Sequence, residues 1–185
     1  TITKALLDFK SGDTLAGTDG ADVLNVELNS NIGNTTTISG IETVNVTSFG
    51  AISIDMTKIT DVATLGSKDS TGAVTVNNIA DATMGLSFSG TGTNSITANY
   101  KAGALSGAAD NLSIAVSGAT GVVVDADAGF ESFSINSGEA GATSAVAAST
   151  VTTVTMPGVT SATISGDGAL TMSDGTLNNV TTVSA

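Results

Sequence analysis

The feature that most constrains this chain is a short strand-like run that returns about every twenty residues. Residues 42–46 (ETVNV), 51–56 (AISIDM), 73–77 (AVTVN), 112–116 (LSIAV), 130–135 (FESFSI), 151–156 (VTTVTM) and 162–165 (ATIS) each alternate apolar with polar side chains. Each is rich in β-branched residues and bounded by Gly, Asn, Asp or Ser, the pattern of a half-buried strand. Aligning one small hydroxyl residue per run gives Thr43, Thr64, Thr83, Ser113, Ser132, Thr153 and Thr182, at intervals of 21, 19, 30, 19, 21 and 29. An apolar residue directly follows each of them. One such coil cannot bury its inward stripe alone, but stacked coils pair their strands about 4.8 Å apart and share a continuous core.

The reading is therefore an all-β chain, a parallel β-solenoid with coils of about 20–30 residues and a length on the order of 35 Å. A β-sandwich is the alternative, because short strands with turn signals between them suit it too. Thr, Ala, Gly and Ser make up 99 of the 185 residues and aromatics only 3 %, which fits a narrow core without room for large rings. Residues 1–25 read as an opening segment and residues 26–185 as the solenoid domain. A loop or short helix is expected in the Ala-rich stretch 139–149, and residues 2–9 have a mildly helical look. Solenoid ends expose unpaired strand edges, so further coils are expected next to Thr1 and Ala185 in a longer parent.

Composition removes several chemistries. There is no Cys, His, Trp or Arg, and 17 acids face five lysines for a net charge of −12. Thiol or imidazole nucleophiles and the usual zinc ligands are excluded, and a nucleic-acid surface lacks the clustered cations it needs. No apolar run is long enough to span a bilayer as a helix. A β-helix enzyme acting on polysaccharide needs paired carboxylates and usually aromatic platforms. Asp125 and Asp127 supply the pair, but with five Phe and one Tyr the sugar-binding face is missing. The expectation is no catalysis. An adhesin or ligand-binding solenoid is the other alternative, and Thr152, Thr153, Thr155, Thr181 and Thr182 hint at a Thr-lined face of the ice-binding kind.

The most specific motif is GDTLAGTDGADVLN at residues 12–25. Its second half, GTDGADVLN, matches the nonapeptide G-G-x-G-x-D-x-L-x in all but the second glycine. Asp13 and Leu15 stand nine residues before Asp22 and Leu24, so a degenerate copy precedes it. Glycines permit a tight turn whose carbonyls share a centre, the aspartate adds a carboxylate, and the leucine anchors the next strand. Hard oxygen ligands of this kind suit Ca²⁺ better than Mg²⁺, which demands stricter octahedral geometry. Asp13 and Asp22 would carry the carboxylate role, with Gly17, Asp19 and Gly20 giving turn geometry and backbone oxygens. The alternative is that Asp19 and Asp22 cap a loop without metal, since Asx residues favour turns. Asp125 and Asp127 lie on one face of an extended strand, close enough to share an ion, or else form a solvated face. Glu42 and Glu131 occupy equivalent places in the alignment. They, like the Asp-Gly pairs at 167–168 and 174–175, read as structural.

With GDTLAGTDGADVLN (12–25) and ISGIETVNVTS (38–48), and the similar texture of DAGFESFSINSG (127–138) and TISGDGALTMSDG (163–175), the chain resembles the RTX-type S-layer proteins of Gram-negative bacteria. The resemblance implies a β-solenoid secreted by type I machinery and self-associating with calcium into a lattice at the cell surface. Anchoring to polysaccharide or lipopolysaccharide would fall to parts of the parent outside this chain. The pattern departs from the family in carrying one good nonapeptide and one poor one, where each ion of a β-roll sits between neighbouring turns. A complete calcium cage would then need upstream sequence or a neighbouring molecule.

Overall fold

A computed structural model describes residues 2–4, 11–138, 147–173 and 179–184. The strands are those of a parallel β-solenoid. A nine-stranded sheet contains β1 (Ile2–Lys4), β3 (Val23–Leu28), β5 (Thr43–Ser48), β7 (Thr64–Lys68), β9 (Gly85–Ser89), β11 (Asn111–Ser117), β13 (Ser132–Ser137), β15 (Ser161–Ser165) and β17 (Thr182–Ser184), in that spatial order. A six-stranded sheet contains β6 (Ile52–Asp55), β8 (Val74–Ile79), β10 (Ser95–Tyr100), β12 (Val122–Ala126), β14 (Ser149–Thr155) and β16 (Leu170–Met172). From β5 onward successive strands alternate between the two sheets, so each coil adds one rung to both. Among the described residues a third side is seen in the first coils, where β2 (Thr14–Ala16) pairs with β4 (Thr37–Ser39) and Ile38 with Ile59. Nine rungs at about 4.8 Å make a stack about 38 Å long.

Parallel pairing of each strand with the one two places on in sequence settles the choice between solenoid and sandwich, since a sandwich is built from antiparallel strands. Core columns run up the stack in register. Leu24, Val44, Leu65, Leu86, Ile114 and Ile135 form one, and Ile52, Val74, Ile96, Val124 and Val154 face it from the other sheet. All are buried, each contributing roughly 1.5–3 kcal/mol by removal from water. Leu24, the leucine of the nonapeptide, is among them.

Polar residues also stack. Asn45 Nδ2 donates to Asn25 Oδ1 at 2.9 Å, and Asn99 Nδ2 to Asn77 Oδ1 at 2.8 Å. The first ladder stops at Gly66, where a methyl group would lie 2.6 Å from Asn45 Oδ1 and 2.5 Å from Ser87 Oγ. At the corner after the large sheet, buried Ser70 accepts from the Ser48 amide at 3.1 Å and donates to the Val46 carbonyl at 3.2 Å. Buried Asn94 accepts from Ser67 Oγ and donates to the Gly90 carbonyl. Buried polar groups thus find partners within the corner, as their desolvation requires.

Two expectations need correction. The large sheet aligns Val23, Thr43, Thr64, Gly85, Ser113, Ser134, Thr163 and Ser184, at intervals of 20, 21, 21, 28, 21, 29 and 21. Thr83 is therefore not a strand anchor. It sits in a turn where Asp81 Oδ1 accepts from its amide at 2.8 Å and from its hydroxyl at 2.7 Å. Ser132 and Thr182 are each two residues early, and Thr153 belongs to the second sheet. Residues 2–4 form a strand paired with β3, not a helix. The rest of the helical-looking segment lies outside the described residues. So do 139–146 of the expected Ala-rich loop or helix and the Asp-Gly pair at 174–175, while Ser149 already opens β14. Strand β3 runs across the point after residue 25 where the opening segment meets the solenoid.

Candidate functional site

The nonapeptide loop is held by its backbone. The Asp13 carbonyl accepts from the Thr37 amide at 2.8 Å, and the Gly17 amide donates to the Ser39 carbonyl at 2.8 Å. Gly17 is required here, because a methyl group on it would stand 1.7 Å from the Gly40 carbonyl oxygen. Gly20 turns the chain at φ +108°, a conformation that favours glycine. Asp19, beside it, is exposed at the bend. Asp22 closes the loop, its Oδ2 accepting from the Thr18 amide at 2.7 Å and the Thr18 hydroxyl at 3.2 Å. The Thr18 amide, followed by its hydroxyl, holds the Asp22 carboxyl below the usual carboxylate range.

Asp125 projects outward from β12 between buried Val124 and Ala126. Asp127 follows just past the strand, also exposed. The pair therefore shares the outer face of the second sheet, but Asp127 Oδ2 accepts from the Tyr100 amide of the preceding coil at 2.6 Å. Above Tyr100, the ring meets Phe130 edge-on at 5.1 Å. Burial first, and then the charges of Asp127 and Asp81, push the Tyr100 hydroxyl above its ordinary pKa.

A recurring device links these acids. Glu42 Oε2 accepts from the Asp22 amide at 2.6 Å, and Glu131 Oε2 accepts from the Asp110 amide at the same distance. Each glutamate immediately precedes a strand of the large sheet and reaches the residue immediately preceding the neighbouring strand. Their equivalence in the sequence alignment thus corresponds to one shared task. Asp61 Oδ2 takes the Gly40 amide at 3.0 Å, and Asp69 Oδ1 takes the Thr91 amide at 3.0 Å. Five carboxylates therefore clip one coil to the next through backbone N–H groups. Sequence reasoning missed Asp61 and Asp69. Their signal was an acid at a coil corner, indistinguishable there from an ordinary turn residue.

Ca²⁺ takes 6–8 oxygens, whereas the inner oxygen of Asp22 faces an N–H and an O–H. Among the described residues no three acidic side chains converge. Asp19 and Asp125 are exposed. No family model matches the chain, and no curated protein or solved structure matches it either. No helix among the described residues is long and apolar enough to cross a membrane.

Proposed function

We propose that this chain is a non-catalytic structural segment of a secreted, calcium-dependent surface array of the S-layer kind. The observation that carries the proposal is the ladder itself. Parallel strands stack one coil on the next, and β1 and β17 at the ends of the large sheet are each paired on one side only among the described residues. A strand with an unpaired row of N–H and C=O groups is a template for another strand, so the fold is suited to joining copies or further coils. Calcium enters this reading between molecules. The chain repels its copies through a net charge of −12, and exposed carboxylates such as Asp19 and Asp125 on neighbouring copies can share a divalent cation. The cell-surface anchor, polysaccharide or lipopolysaccharide, would engage other parts of the parent.

Light scattering in Ca²⁺, in Mg²⁺ and with chelator tests the proposal. Particle size should rise selectively with Ca²⁺. Asp19→Asn and Asp125→Asn should each reduce that rise while leaving the melting temperature in chelator unchanged. The same monomer in all three conditions would overturn it.

A further inference from the structure

Where the third side of the solenoid ends, a recess of about 350 Å³ opens between two coils. Its origin is a difference in corner length. Eight residues connect β6 to β7 and carry Ile59 into pairing with Ile38, but only five connect β8 to β9. The shorter corner runs Ala80-Asp81-Ala82, with methyl groups in place of larger side chains, and among the described residues Ile59 bridges Ile38 below but no residue of the next coil. The floor is apolar and made from both coils, with Met56, Ile59 and Val62 below and Ile79 and Met84 above, all buried. The rim carries two carboxylates, Asp61 and Asp81.

Both carboxylates are fixed in orientation. Asp61 Oδ2 accepts from the Gly40 amide and from Thr60 Oγ1 at 2.9 Å. Asp81 Oδ1 accepts from the Thr83 amide and hydroxyl. The second oxygen of each, Asp61 Oδ1 and Asp81 Oδ2, has no partner among the described residues. An apolar floor beneath two oriented anions is complementary to one kind of small ligand, a hydrocarbon stem ending in a cation. We infer that this recess binds a short primary alkylammonium, its stem against Met56, Ile59, Ile79 and Met84 and its ammonium between Asp61 and Asp81. The Gly40 amide first, and the Thr60 hydroxyl second, hold the Asp61 carboxyl below the usual range, so it is charged at neutral pH. The assignment does not depend on the array reading, since neither Asp19 nor Asp125 takes part. A free amine and a peptide lysine side chain share this chemistry.

The chain's four methionines provide the test. With methyl-labelled methionine, pentylammonium should shift the Met56 and Met84 signals saturably and leave Met156 and Met172 unmoved. Pentanol, with the same stem, should bind at least about tenfold more weakly, as loss of charge-assisted hydrogen bonds requires. The double variant Asp61→Asn with Asp81→Asn should weaken pentylammonium by a similar factor. It retains an acceptor oxygen at both turns, so it should remain folded with only a small loss of melting temperature from the weaker neutral hydrogen bonds. Tighter binding of an N-acetyl-lysine amide than of pentylammonium would mark a peptide as the source, and weaker binding a free amine. Absence of saturable shifts at Met56 and Met84, or equal binding of pentanol and pentylammonium, would overturn the assignment.

Discussion

The early and late coils follow the same strand pattern and end up with different burial. In β7, Leu65 is 1 % exposed, with Val44 on one side and Leu86 on the other. In β17, Val183 pairs with Ala162 on one side and is 50 % exposed. The corners differ likewise. Ser48 and Ser70 bond each other and the backbone, and Asn94 bonds Ser67 and the Gly90 carbonyl, whereas the buried hydroxyls of Ser137 and Ser149 have no partner among the described residues. The lesson is that an alternating strand does not bury itself. Its apolar face is covered by the coils on either side, so stability is distributed as nearest-neighbour terms along the stack.

Leu65→Ala should break the contrast most strongly. Chemical denaturation should show a loss of about 2–5 kcal/mol, the range for a buried Leu that leaves a cavity, while Val183→Ala changes stability by less than about 0.5 kcal/mol. Comparable losses at the two sites would mean that the last coil is as well covered as the middle. The corners sharpen the point by separating backbone approach from apolar cover. A methyl group on Gly72 would lie 2.1 Å from the Gly50 backbone, but one on Gly50 meets nothing within 4 Å. Gly72→Ala should therefore cost about 1–3 kcal/mol, and Gly50→Ala should be neutral or slightly stabilising.

The glutamate clips test whether one interaction has the same value early and late. Glu42→Ala and Glu131→Ala should each lower stability by about 1 kcal/mol, with Gln restoring most of it through its carbonyl oxygen. A marked inequality in denaturation midpoints would show that the clip depends on the coil around it. Acid should reverse the contrast. Asp22, Asp55 and Asp61, all in the early coils, have carboxyls held below the usual carboxylate range, each chiefly by hydrogen bonds. A depressed folded pKa gives stability that is present above the unfolded value and lost as pH falls through the folded one. Hydrogen exchange at pH below about 4 should thus loosen the early coils first. Selective loosening of the late coils would contradict this.

The architecture was legible because the strands' inward and outward residues alternate, and all seven alternating runs are strands. Register was less so. Shifting by two residues keeps the same face inward, so Ser132 and Thr182 fitted the pattern as well as Ser134 and Ser184. Thr153 entered the wrong sheet because both sheets alternate in the same way. Gly85 was overlooked because a glycine carries no strand signal, though its position in β9 is fixed by pairing with Thr64. At the site, the equivalence of Glu42 and Glu131 could be read from their place before the repeat. The recess could not, because it arises from two neighbouring corners of unequal length, which no single segment records.

That inequality has a wider consequence. The two long register intervals, 28 and 29, fall in different places, with ten residues between β10 and β11 and eleven between β13 and β14. The flanking columns stay in step through both, Leu86 beneath Ile114 and Ile135 beneath Ile164. Loop closure costs little for a few added residues. The corner between β10 and β11 can therefore host a spliced-in segment, and the molecule is a frame whose decoration there can be exchanged without disturbing the storeys around it.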